Sequence, residues 1–212
     1  MDMKSGYTAR NRACCILVTG IPASGKSTMA AYLMRELGIP MLSKDEIKEK
    51  LFDTLGFSSR EEKNRLGKAA AEMMFDFGAR CLACGQSVIL ENNFEHASRP
   101  GLERMLASCD CRILTVVMTG DMRAIYERFV MRNRDPVRHR GHVVNDCYPE
   151  KTGVLTYPEP PAYEVFAESM QKRGMTQMPV ESDCIVVDTT DFALVDMNAV
   201  ARRVRDWMNN QI

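Results

Sequence analysis

Apolar and polar residues alternate along the chain in blocks whose lengths and periods mark out the elements. Ala13 to Thr19 is a short apolar run rich in β-formers and closed by Gly20, the pattern of a strand buried on both faces of a parallel sheet. A helix from about Lys26 to Leu37 follows, ended by Gly38 and Pro40. Met41 and Leu42 make a brief strand, and Ser43 or Asp45 can cap a charged helix running to about Leu55. A long helix is predicted over roughly Arg60 to Cys84, stopped by Gly85. Leu66, Ala70, Met73, Phe77, Cys81 and Cys84 recur there at steps of three or four, an amphipathic stripe expected to pack inward.

Ser87 to Leu90 reads as a third strand ending at Glu91, Arg99 to Ser108 as a helix, and Arg112 to Met118 as a fourth strand. Asp121 to about Asn133 is predicted helical, with Ile125 and Phe129 facing the core. The chain then turns polar, with five prolines between Asp135 and Pro161, so 134–161 is expected to be an insertion or lid. Cys184 to Val187 supplies a fifth strand, and the closing helix carries Met197, Val200, Val204 and Trp207 on one stripe. Residues 1–11 lack a pattern and read as a flexible lead-in. Strands separated by helices of this length need crossover connections, which implies an α/β fold with a parallel sheet covered on both faces. Ligands of such sheets sit at the carboxyl ends of the strands.

The whole chain, 1–212, with 45% hydrophobic residues, suits one domain. Lysine plus arginine and aspartate plus glutamate each number 28, so no global field draws it to long nucleic acids or anionic membranes, although a local basic patch is allowed. The apolar run near the start is too short to cross a bilayer; no signal peptide and no anchor are expected. Eight cysteines without an export signal point to reduced thiols in a cytoplasmic protein. Cys81 and Cys84 have CxxC spacing, but they also fall on the helix stripe. Cys109 and Cys111 do not complete a tetrahedral set, so core packing is the expectation over zinc.

The most specific chemistry is Gly20-Ile-Pro-Ala-Ser-Gly25-Lys26-Ser27, which matches GxxxxGK[ST] between a predicted strand and a predicted helix. Glycines let backbone amides turn inward around phosphate oxygens, and the following helix aims its positive end at the same anion. Gly20, Ala23, Ser24, Gly25, Lys26, Ser27 and Thr28 are the expected nucleotide contacts. Lys26 supplies charge to the β and γ phosphates, and the Ser27 hydroxyl can bind magnesium, so ATP and Mg²⁺ are the expected cofactors.

Ser43-Lys44-Asp45-Glu46-Ile47-Lys48 resembles the acidic motif of P-loop kinases such as phage polynucleotide kinase and zeta toxins. The resemblance implies that Asp45 activates the acceptor hydroxyl, and that Lys48 stands where relatives often carry a substrate-binding arginine. Read without it, Asp45 could simply cap a helix. Glu91, followed by Asn92-Asn93-Phe94, is similar to the Walker B position, where an acidic group holds magnesium through water; a solvated strand-end carboxylate is the alternative.

Arg128, Arg132, Arg134, Arg138, His139, Arg140 and His142 form a basic run, with Arg128 and Arg132 on one helix face. Residues 134–142 resemble the arginine and histidine lid of zeta-toxin-like, AAA-type kinases, implying that Arg128, Arg132 and Arg138 serve catalysis. A solvated charge run or nucleic-acid patch is the competing account. The resemblance spans Ala13 to Val187 and implies a three-layer P-loop NTPase fold, with a five-stranded sheet in order 2-3-1-4-5 and a lid. By the same resemblance Asp45, Lys48, Asn93 and His142 face the acceptor, and Asp188 to Asp191 lies beside the adenine; read without it, these last residues would cap the final helix.

The expected function is transfer of the γ-phosphoryl group of ATP to a hydroxyl of a small molecule or nucleotide-type acceptor, by a monomer or homodimer. A polynucleotide-end or sugar-nucleotide toxin kinase, and a non-catalytic ATP-dependent switch, are the alternatives.

Overall fold

The computed structural model describes residues 12–151, 155 and 157–210. The expected lead-in, and 152–154 and 156 of the insertion, lie outside the described residues. Five strands form one parallel sheet in the order β2-β3-β1-β4-β5: β1 (Ala13–Thr19), β2 (Met41–Ser43), β3 (Val88–Glu91), β4 (Cys111–Thr119) and β5 (Asp183–Asp188). Between them run α1 (Lys26–Leu37), α2 (Lys44–Leu55), α3 (Arg60–Ala83), α4 (Arg99–Ala107), α5 (Met122–Arg134), α6 (Arg140–Val143) and α7 (Tyr163–Lys172), and α8 (Met197–Asn209) closes the chain.

All seven residues of β1 are buried, as expected of a central strand with two covered faces. Ile16 and Val18 pack with Met29 and Leu33 of α1 and Val200 and Val204 of α8. The alternate residues Cys15 and Leu17 pack with Ala71, Met74 and Phe75 of α3 and with Leu102 and Met105 of α4. Ile125 of α5 belongs to a smaller cluster with Phe166 and Met170 of α7, against which Phe129 packs.

The register sets the site. Val18 pairs with Glu91, and Glu91 pairs with Ser43, so the ends of β1, β3 and β2 are level at the carboxyl edge. The phosphate loop leaves β1 at that edge.

The stripe expected on α3 is rotated. Its buried residues are Lys63, Ala70, Ala71, Met74, Phe75, Gly78 and Leu82, while Met73 is 40% and Phe77 50% exposed. The helix is apolar around much of its circumference, so two stripes satisfy helical spacing, and contact with the sheet selects the other one. Of the predicted stripe Ala70 is buried; Cys84 is exposed and Cys81 half-buried, so the pair is not a core packing unit.

The insertion is folded onto α2. Phe57 and Tyr148 exchange backbone hydrogen bonds of 2.8 Å, and Asp53 accepts from the Tyr148 hydroxyl at 2.8 Å and meets Nε2 of His139 at 3.0 Å. Phe52, fully buried, packs against Phe57 and Val144, and such burial contributes about 1.5–3 kcal/mol. Gly141 is required for this approach, because a β-carbon there would run into the Phe52 ring. α2 and the insertion are therefore packed together as one wall of the cleft.

Candidate active site

Gly25 has a left-handed backbone, φ 88°, which turns the chain into α1 and lets the loop amides converge. A side chain there would also collide with the Phe192 ring, which lies across the loop from the turn after β5. Ala23, Gly25, Lys26, Ser27, Thr28, Arg128, Arg132 and Phe192 line a cavity of about 290 Å³. Gly20 opens the loop after β1; Ser24 is fully buried and its hydroxyl has no partner among the described residues. An orphaned buried hydroxyl in a loop of turned-in amides fits a ligand that brings oxygens.

Lys26 is buried, and its Nζ donates to the Ile21 carbonyl at 2.9 Å. Burial brings its pKa down to about 8; the nearby Glu91 and Asp45 carboxylates oppose that shift. A buried ammonium held by a carbonyl of its own loop is ready to exchange that neutral acceptor for a phosphate.

Glu91 is only 3% exposed, which removes the reading of a solvated strand end. The Ser43 hydroxyl donates to its Oε2 at 2.6 Å and the Ser27 hydroxyl to its Oε1 at 3.3 Å. The level ends of β1, β3 and β2 produce this arrangement. Among the described residues no cluster of three or more His, Cys, Asp or Glu could hold a metal ion. One carboxylate with two serine hydroxyls does suit magnesium, which keeps several waters and takes its remaining oxygens from phosphates.

Asp45 is not the cap of α2. The Ser43 side chain is, accepting from the Glu46 amide, and Asp45 is the second residue of the helix, in its first turn, and exposed. Enclosure by the cleft raises its carboxyl pKa, but the neighbouring cations His142, Lys48, Lys44 and Lys26 outweigh that and bring it down to about 2. These cations act at range: among the described residues Asp45 has no hydrogen bond and no ion pair within 4.0 Å. It is an ionised carboxylate whose charge is felt by Lys26 of the phosphate loop.

Arg132 and Arg138 are half-buried, have no carboxylate partner among the described residues, and each leaves a buried Nε without an acceptor. Burial lowers the pKa of both, Arg138 to about 10 with Arg132 adding to the shift, and the Asp45 charge acts against it. Arg128 shares the phosphate-loop cavity with Arg132 and differs in having carbonyl partners. Its guanidinium donates to the Thr189 carbonyl at 2.5 Å and the Thr190 carbonyl at 3.2 Å, tying α5 to the loop after β5. In that loop Asp188 and Asp191 accept from the Thr190 and Ala193 amides, and the closing helix is capped by Asp196 instead.

Of the expected acceptor contacts, Lys48 places its Nζ 5.3 Å from the Phe52 ring centroid, and His142 pairs through Nε2 with Glu49 Oε1 at 2.8 Å. Asn93 is half-buried, and its amide donates to the Asn92 side chain at 2.8 Å. Asn92, buried with Nδ2 unpartnered among the described residues, is an addition from the structure, as are Ser43 and Phe192. Ser43 was within reach of sequence reasoning, since a residue ending β2 must lie beside the end of β3 if the two pair in parallel.

The AAA domain family matches residues 15–146. No curated protein matches the sequence. A protein from Chloroflexus aurantiacus that carries an ascribed kinase name shares 28% identity over 93% of this chain and 97% of its own, with a TM-score of 0.72. APS kinase from Mycobacterium tuberculosis, held with AMPPNP and APS, shares the fold at 17% identity, covering 94% of this chain and 99% of that one, with a TM-score of 0.54. Shikimate kinase from Bacteroides thetaiotaomicron does so at 14% identity, 93% and 99% coverage and a TM-score of 0.53. With its phosphate loop, its strand order and these neighbours, the chain belongs to the AAA domain family and is a P-loop ATP-dependent kinase.

Proposed function

We propose that this kinase transfers the γ-phosphoryl group of ATP to a hydroxyl of a small molecule, with Asp45 as the group that takes the acceptor proton. The observation that carries the reading is an ionised Asp45 with no hydrogen bond or ion pair among the described residues, within electrostatic reach of Lys26 and of two arginines that have no carboxylate within 4.0 Å among those residues. A charge arrangement of this kind is costly to maintain unless a polyanion enters it.

In the reaction Asp45 accepts a hydrogen bond from the acceptor hydroxyl and orients its oxygen toward the γ phosphorus. As the new P–O bond forms and the bond to the β-phosphate oxygen breaks, the hydroxyl proton passes to the Asp45 carboxylate. Lys26 follows the charge toward the leaving β-phosphate, and Arg132 and Arg138 face the transferring oxygens. Arg128 holds the loop after β5 against α5 and so positions the nucleotide side of the cleft. Magnesium, held at Ser27 and through water at Glu91, would supply charge neutralisation between the β and γ phosphates. Lys48, Asn93 and His142 form the acceptor side.

The motif around Asp45 and the lid support kinship with zeta toxins and phage polynucleotide kinase, whereas APS and shikimate, for which the fold neighbours are named, favour a small acceptor. The zero formal net charge is a further argument against a long polynucleotide. The test is ADP formation from ATP and magnesium in the presence of small hydroxyl metabolites or nucleic-acid ends. Turnover dependent on a small metabolite is the expected result. Turnover on polynucleotide ends alone, or nucleotide binding with no turnover on any acceptor, would overturn the reading.

A further inference from the structure

A second cavity of about 460 Å³ lies between α2, α3 and the segment after β3, lined by the neighbours Lys44 and Lys48 of Asp45 on α2. Five cations line it, Lys44, Lys48, Lys63, Lys68 and Arg173, against two carboxylates, Glu72 and Glu95. Both carboxylates already have partners. Glu95 is held by Arg173 at 2.7 Å and approached by Lys44 at 4.0 Å, and Glu72 receives Arg104 at 3.3 Å.

Among the described residues the other two buried or half-buried lysines of the lining, Lys48 and Lys63, have no carboxylate within 4.0 Å. Lys63 is 8% exposed, and among the described residues its Nζ donates only to neutral oxygens, the Val144 carbonyl at 2.5 Å and Asn145 Oδ1 at 3.0 Å. Burial, with Lys48, Arg60 and Arg138 nearby, brings its pKa down to about 8. Lys48 is half-buried and, among the described residues, has neither a hydrogen bond nor a carboxylate within 4.0 Å; only the Phe52 ring faces it. Two like charges gathered at a cavity wall without a close carboxylate destabilise the fold, because burial strips their water without returning an anion at contact distance.

We propose that this cavity is the acceptor subsite and that it receives an anionic group, a phosphate or carboxylate, carried by the same molecule whose hydroxyl meets Asp45. The proposal rests on the kinase reading and narrows the substrate to an anionic hydroxy compound. Lys48 lies three residues after Asp45 on α2, so the two side chains share a face with their β-carbons about 5–6 Å apart. The anion and the reacting hydroxyl are then separated by only a few bonds, and the Lys48 charge fixes which hydroxyl is presented.

The subsite can be tested without turnover. With the phosphate loop saturated by AMPPNP and magnesium, inorganic phosphate and malonate are titrated separately at constant ionic strength and the melting temperature is followed. One or both anions should raise it saturably where chloride does not, and the responding anion distinguishes a phosphate from a carboxylate substrate. Lys48→Ala, chosen because Lys63→Ala would also cut the lid contacts, should weaken that response about tenfold. Lys50→Ala, an exposed lysine of the same helix outside the cavity, should not. A response to neither anion, or an equal response in Lys48→Ala, would reject the subsite and leave the kinase reading standing. Failure of AMPPNP itself to bind would remove both.

Discussion

Replacing Asp45 with alanine is expected to lower kcat by about 10²- to 10⁴-fold, the usual contribution of a positioned acid or base. The affinity for AMPPNP should change far less. Two features of the structure make this a clean substitution. The helix keeps its cap, because Ser43 and not Asp45 receives the Glu46 amide, and no hydrogen bond is lost with the carboxylate. A carboxyl with a pKa of about 2 is ionised throughout the working pH range, so the effect should persist from pH 6 to 9 without a titration of its own. Acceptor-dependent turnover and AMPPNP binding, measured side by side, check it. Unchanged turnover would remove Asp45 from the mechanism.

Arg132 and Arg138 should produce an effect of similar size by a different route. Removing both is expected to cost about 10³-fold or more in kcat, the range seen when arginines that neutralise a transferring phosphoryl group are lost. KM for ATP should rise less than tenfold, because charge on the equatorial oxygens grows mainly on the way to the transition state. Neither guanidinium has a carboxylate partner among the described residues, so the double variant strips no ion pair from the fold. Steady-state kinetics with ATP varied would separate the two effects. An equal loss in kcat and in ATP affinity would place these arginines in ground-state binding.

The phosphate loop and the strands were legible in the sequence because their signals are local. GxxxxGK[ST] needs no tertiary context beyond a strand before it and a helix after it, and each of the five strands appears within two residues of its predicted bounds. The face of α3 was not legible, since Met73 and Phe77 satisfy helical spacing as well as Ala70 and Met74 do, and only packing on β1 and β3 chooses between them. α7 went unassigned behind the proline-bearing stretch, although Tyr163, Phe166 and Met170 fall at helical intervals. Lys63 illustrates a further limit. It is one basic residue near the start of a charged helix, and its significance comes from the lid carbonyl it reaches and the lysine it faces. The same holds for Glu91, whose two serine partners come from segments 48 and 64 residues away in the chain.

Packing of the lid on α2 gives these residues a common frame. Arg138 and His142 belong to a segment fastened to the helix that carries Asp45 and Lys48, through Asp53, Glu49 and Phe52. Asp45, Lys48, Arg138 and His142, which we propose meet the acceptor and the γ phosphate, are thereby positioned together, while Lys26, Ser27 and Glu91 are fixed by the sheet edge. Phosphoryl transfer requires these two groups to meet across the γ phosphate.

The account stands on the grip of the phosphate loop on a nucleoside triphosphate. Calorimetric titration of ATP with magnesium at pH 7, where Lys26 with a pKa of about 8 is largely protonated, measures that grip directly. Saturable one-to-one binding that Lys26→Ala weakens at least tenfold is the result expected. No heat from the folded wild-type protein, or binding that survives loss of the ammonium unchanged, would contradict it.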